Sequence, residues 1–125
     1  MTDSQLGIVI LAAGEACRFG ACKQLAEFQN KPLLQHVLDA ALPLRYKRLV
    51  VITGKYEQEI KNAFEGGLVS GVEHVYNPDW SKGMSSSIRL GCELLASECN
   101  QILVLLSDQV LVSTDELSAL VGEAD

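Results

Sequence analysis

A chain of 125 residues with 48% hydrophobic and 21% charged residues is expected to form one domain, residues 1–125, with room for a buried core. Its formal net charge of −6 argues against nonspecific nucleic-acid binding, which needs a basic surface. Residues 1–5 are polar, and no apolar run approaches the roughly 18 residues of a membrane span, so a cytoplasmic protein without a membrane partner is expected. Residues 7–12 read as a buried strand, and residues 32–41 as a helix with Pro32 near its first turn and Leu33, Leu34, Val37, Leu38 and Ala41 at helical spacing. A Val/Ile-rich strand is predicted over 48–53. A helix follows over 56–64, closed by Gly66 and Gly67, then a short strand over 72–76. A helix is predicted over 85–96, with one of three serines as its cap, and a continuous apolar strand over 101–106. The last helix is predicted over 113–121, capped by Ser113 or Thr114, with Asp115 and Glu116 in its first turn.

Strand and helix alternate four times, which implies an α/β three-layer sandwich around a Rossmann-like, mainly parallel sheet. Sites in such sheets lie beyond the carboxyl ends of the strands. Residues 12–23, Thr53-Gly54, Asn77 and Asp108 each follow a strand, so the sequence brings them to one edge. Cys17, Cys22, Cys92 and Cys99 form no close pair, as expected of reduced thiols rather than a zinc site or disulfide framework. His36 and His74 have no evident nucleophile or carboxylate partner, and G-x-S-x-G is absent. Neither histidine is assigned a catalytic role.

The stretch from Leu11 to Leu25 reads L-A-A-G-E-A-C-R-F-G-A-C-K-Q-L. It joins the first strand to a turn through Ala12, Ala13 and Gly14, with Arg18 and Lys23 just beyond. Small residues let the backbone approach a ligand, and exposed N–H groups can cradle phosphate oxygens. Arg neutralises phosphate through a fork and Lys as a point charge. The alternative is an ordinary strand–loop with two solvated cations. The spacing fits neither G-x-x-x-x-G-K-[ST] nor G-x-G-x-x-G.

L-A-A-G-x-x-x-R-x-G-x-x-K-x-L resembles the signature loop of the molybdopterin cytidylyltransferase/guanylyltransferase family. Asn77 to Gly91 reads N-P-D-W-S-K-G-M-S-S-S-I-R-L-G and resembles that family's N-x-x-W-x-x-G-M-x-S-S-[LI]-R-x-G segment in the cytidylyl branch. Leu105-Leu106-Ser107-Asp108-Gln109 is similar to its L-x-D-Q-P segment. The resemblance implies a fold of the nucleotide-diphospho-sugar transferase type. It also implies Mg²⁺-dependent transfer of a nucleotidyl group from CTP to a phosphorylated acceptor such as molybdopterin, with pyrophosphate released. Arg18 and Lys23 would hold the triphosphate, and Asp108 would bind Mg²⁺ or, alternatively, cap a turn. Leu11, Ala12, Ala13 and Gly14 would approach phosphate or ribose through their backbone. Thr53, Gly54, Gly83, Ser85, Ser86 and Ser87 would line the base and acceptor pockets. Trp80 would stack on an acceptor ring or anchor its loop, and Gln109 would hydrogen-bond rather than catalyse. Glu15 and Val110 depart from the family pattern. The family continues past the position of Asp125 with further sheet elements, a G-x-x-G-x-P segment and another acidic ligand. The C-terminal part is therefore expected to be missing, the short chain to transfer poorly alone, and the open sheet edge to favour a homo-oligomer. The rival readings are a sugar- or alditol-phosphate nucleotidyltransferase and a noncatalytic module that binds nucleotide or a partner chain.

Overall fold

The structure is a computed structural model describing residues 5–13, 25–67, 72–107, 109 and 112–122, together with the backbone of residues 17–18 and 21–22. Strand β1 (Leu6–Ala12) is buried along its whole length. Two short antiparallel ladders follow, Cys17–Arg18 (β2) with Ala21–Cys22 (β3), and Glu27–Phe28 (β4) with Lys31–Pro32 (β5). Helix α1 (Leu33–Ala41) leads to β6 (Arg48–Thr53), α2 (Glu57–Glu65) and β7 (Glu73–Tyr76). A 3₁₀ turn (Trp80–Lys82) precedes α3 (Met84–Leu95), β8 (Gln101–Leu106) and α4 (Thr114–Val121).

The main sheet has the order β7-β6-β1-β8. Every pairing in it is parallel. Side chains alternate across it as a pleated strand requires. Ile8, Ile10 and Ala12 join Leu49, Val51, Leu103 and Leu105 in one cluster with residues of α1, α2 and α4. Val9 and Leu11 join Val50 and Ile52 in the other, with Leu95 of α3. Helices thus cover both faces, giving the three-layer α/β sandwich. Burial on both faces explains the unbroken apolar strands, since each fully buried Val, Leu or Ile contributes about 1.5–3 kcal/mol.

Local chemistry sets the helix ends. At α4, Ser113 Oγ accepts from the Glu116 amide at 3.1 Å while Glu116 Oε1 accepts from the Ser113 amide at 3.0 Å, a reciprocal capping box. Gly67, at φ 79°, provides the left-handed turn after α2. The expected serine cap on the helix after Lys82 is corrected. Gly83 is the N-cap of α3, at φ 108°, and no side chain caps that helix. The three serines fall inside its first turn, where the hydroxyls of Ser86 and Ser87 have other partners. The ladders and the 3₁₀ turn were not anticipated. Gln29 and Asn30, at φ 54° and 66°, turn β4 into β5 without the glycine that normally marks such a turn.

Candidate functional site

The strand order places a reversal at β1. The chain runs from β1 outward to β6 and β7, then crosses to β8 on the other side of β1. A crevice outside the carboxyl ends of β1 and β8 is where ligands bind in such sheets. The Ser107 amide donates to Leu11 O at 3.1 Å, so the chain leaving β8 stays beside the end of β1. Ser107 is 5% exposed. Gln109 closes the turn that follows: its side-chain Oε1 accepts from the Leu106 amide at 2.6 Å, and its own amide donates to Leu106 O at 3.2 Å. This is the hydrogen-bonding role expected for it.

Leu11, Ala12 and Ala13 are buried at the end of β1. Gly54 lies against them after β6. A Cβ on Gly54 would stand 2.5 Å from Ala13 O and 2.7 Å from the Trp80 Cβ, a separation that real atoms do not tolerate. Only glycine lets the two strand ends approach so closely. Trp80 is half-buried and packs against the cluster of Val9, Leu11 and Ala13, so it anchors its loop.

Thr53 is fully buried, and its hydroxyl donates to Val75 O at 3.3 Å. Asn77, 3% exposed, forms the hub of the site's polar part. Its amide donates to Thr53 O at 2.8 Å. Its side-chain Nδ2 donates to Ser86 Oγ and to Ser87 Oγ, both at 2.9 Å, while Oδ1 accepts from the Asp79 amide at 2.9 Å. Ser87 is buried, Ser86 half-buried and Ser85 exposed. Ser86 and Ser87 are therefore committed to the fold, and Ser85 stands at the surface. An open groove of about 440 Å³ lies beside this segment, lined in part by Asn77, Ser85, Ser86 and Arg89.

The expected site residues divide into two groups. Leu11, Ala12, Ala13, Thr53, Gly54, Gly83, Ser85, Ser86 and Ser87 lie at the carboxyl edge of the sheet or at the start of α3. Gly14, Lys23 and Asp108 lie outside the described residues. Arg18 is described only in its backbone, as part of β2. Among the described residues, no group of three or more His, Cys, Asp or Glu side chains could hold a metal ion. Three large exposed hydrophobics mark the same edge: Tyr76 ends β7, Leu106 ends β8 and Met84 opens α3. Sequence reasoning passed over them because single exposed apolar residues carry no pattern.

The histidines play structural parts. His36 Nε2 hydrogen-bonds Phe28 O at 2.5 Å, and its ring meets Phe28 edge-on, tying the β4–β5 ladder to α1. His74 stacks on Phe64 with ring centroids 4.9 Å apart. No described helix is long and apolar enough to cross a membrane.

Residues 8–125 match the family described as MobA-like NTP transferase domain. The chain belongs to that family. It is 31% identical over 122 residues to the bifunctional protein GlmU of Solibacter usitatus, covering 95% of this chain and 25% of that protein. The chain thus spans about a quarter of the length of the curated relatives it matches. Rv0371c of Mycobacterium tuberculosis superposes with a TM-score of 0.79 at 27% identity, over 99% of this chain and 63% of that one. A CMP:2-keto-3-deoxy-manno-octonic acid synthetase solved with CTP shares the fold, with a TM-score of 0.75 at 20% identity, over 95% of this chain and 46% of the other. These similarities support the nucleotidyltransferase resemblance and are broader than its molybdopterin branch.

Proposed function

We propose that residues 1–125 form a single nucleotidyltransferase-like domain that binds CTP and a divalent metal, Mg²⁺. In this reading the enzyme transfers the cytidylyl group to a phosphorylated acceptor, molybdopterin being the first choice. The observation that carries the proposal is the convergence of Ala12, Ala13, Gly54 and Ser107 at the strand-order reversal, in a chain of the MobA-like NTP transferase family. An acceptor phosphate oxygen attacks the α-phosphorus, the α–β P–O bond breaks, and pyrophosphate leaves with the bonding electrons. The protein's task is to position the reactants and stabilise charge. Arg18 and Lys23 hold the triphosphate and the departing pyrophosphate. The backbone at Leu11, Ala12, Ala13 and Gly14 approaches phosphate or ribose. Thr53, Gly54, Gly83, Ser85, Ser86 and Ser87 shape the base and acceptor pockets, with Ser86 and Ser87 acting through the geometry of α3.

Asp108 is the residue proposed to hold Mg²⁺. Its neighbours Ser107 and Gln109 form a turn at the end of β8, beside β1, where one carboxylate and phosphate oxygens suit a hard cation. Bound there, the ion would neutralise phosphate charge.

The cytidylyl assignment rests on the 77–91 segment. Its fold neighbour solved with CTP is consistent with a pyrimidine triphosphate in this architecture. Sugar- or alditol-phosphate nucleotidyl transfer within the same NTP transferase family is the second reading of the acceptor. Thermal melts with CTP, UTP, ATP and GTP in Mg²⁺ test the nucleotide, and CTP should raise the melting temperature most. Greater stabilisation by GTP would move the protein to the guanylyl branch.

A further inference from the structure

We propose that Asn77 is the positioning residue that sets base recognition at this site. The inference rests on the nucleotide-binding reading above and adds to it a residue that discriminates the base independently of the triphosphate. Asn77 offers a ligand little surface of its own, being 3% exposed at the edge of the groove. Its hydrogen bonds instead join three separate pieces of the carboxyl edge. The backbone N–H holds the end of β6 through Thr53 O at 2.8 Å, and the backbone carbonyl accepts from the Trp80 amide at 3.2 Å, starting the 3₁₀ turn. The side chain grips Asp79, Ser86 and Ser87.

Helix α3 needs such a brace. It opens on Gly83, has no side-chain cap, and begins with three serines whose hydroxyls would compete for backbone groups. Ser86 Oγ has two backbone carbonyls within reach, Gly83 O at 2.8 Å and Asp79 O at 3.0 Å. Acceptance from Asn77 Nδ2 leaves the Ser86 hydroxyl proton for one of these carbonyls. Ser87, buried, is held by the same amide group. The consequence is a first turn of α3 fixed in rotation, with Ser85 left outward and the leading amides directed at the carboxyl edge. A base is recognised by a few hydrogen bonds that depend on such registration. Triphosphate binding depends chiefly on charge, which a small rotation of α3 would not alter. Asn77 therefore controls base affinity and leaves triphosphate affinity unchanged.

Titration calorimetry with CTP and with inorganic tripolyphosphate, both in Mg²⁺, separates these terms. Asn77→Ala should weaken CTP about tenfold, the scale of one or two lost hydrogen bonds, and leave tripolyphosphate within about twofold. Ser87→Ala removes one acceptor and leaves the Ser86 and Asp79 contacts in place, so it should weaken CTP less. The double variant should bind CTP as Asn77→Ala does, since both changes break one network. If Asn77→Ala does not fold, the contrast between CTP and tripolyphosphate in Ser87→Ala decides the matter. Parallel losses for both ligands, or no loss for either, would overturn the positioning role. A wild-type protein that binds tripolyphosphate and CTP equally would overturn base recognition here, and one that binds neither would overturn the nucleotide-binding reading itself.

Discussion

At the residue scale, Gly54 shows how a single missing Cβ lets the ends of β1 and β6 approach each other. Gly54→Ala places a methyl group 2.5 Å from a backbone oxygen, and backbone cannot step aside as a flexible side chain can. Overpacking of this kind costs about 1–3 kcal/mol. Urea denaturation should show that loss, and calorimetry should show weaker nucleotide binding, because the ends of β1 and β6 are pushed apart. Lys23 makes a separate prediction. Lys23→Ala should preserve the fold and weaken CTP by about 1.5–3 kcal/mol, the worth of one hydrogen bond to a charged group. Unchanged affinity would make Lys23 a solvated surface lysine. Asp108→Asn should leave the melting temperature near wild type and abolish the Mg²⁺ dependence of CTP binding. Low stability with an unaltered Mg²⁺ titration would make Asp108 a turn cap instead.

At the element scale, legibility followed periodicity. Strands 48–53 and 101–106 match residue for residue, because in each a run of five apolar or β-branched residues between turns leaves few alternatives. Ser113 and Glu116 carried a local capping signal, and the structure uses it. The serines before Ile88 carried the same signal misleadingly. Asn77, in the loop after β7, engages the Ser86 and Ser87 hydroxyls, contacts that a local capping pattern does not encode. Two-residue ladders were illegible because they have no period.

The packing of α3 on β1 is also an element-scale matter. A Cβ on Gly91 would meet Val9 Cγ1 at 2.6 Å. Gly91→Ala gains about 1 kcal/mol of helix propensity. It meets a β-branched side chain with little rotamer freedom, and overpacking of about 1–3 kcal/mol wins. Chemical denaturation should show a net loss of up to about 2 kcal/mol.

Arg48 ties β6 to Glu73 of β7 and to Glu98 beyond α3, at 2.5 and 2.8 Å. The hydrogen bond from Arg48 holds the Glu73 carboxyl below its ordinary value of 4.5, against the opposing effect of burial. A depressed folded value means that the stabilisation is present above about pH 4.5 and is lost as pH falls through the folded value. Glu73 is 40% exposed, so solvent screening keeps the effect modest. Glu73→Gln should flatten part of the fall in melting temperature below about pH 4.5. An identical acid profile would remove this pair from the acid response.

At the scale of the whole molecule, the parallel sheet and its order bring residues far apart in sequence to one edge. Leu11 and Ser107 are hydrogen-bonded neighbours, although most of the chain separates them. The sequence could be read for that edge because strand–helix alternation implies parallel strands. It could not be read for the order β7-β6-β1-β8, which places the reversal at β1 and depends on pairing across the whole chain. The central claim is that nucleotide binds at this reversal. A ¹H–¹⁵N correlation titration with CTP and Mg²⁺ tests it most directly. The account predicts that the largest shifts fall on the amides of Ala12, Ala13, Gly54, Ser85 and Ser107. Shifts concentrated on α2 or α4, or no shifts at saturating CTP, would contradict it.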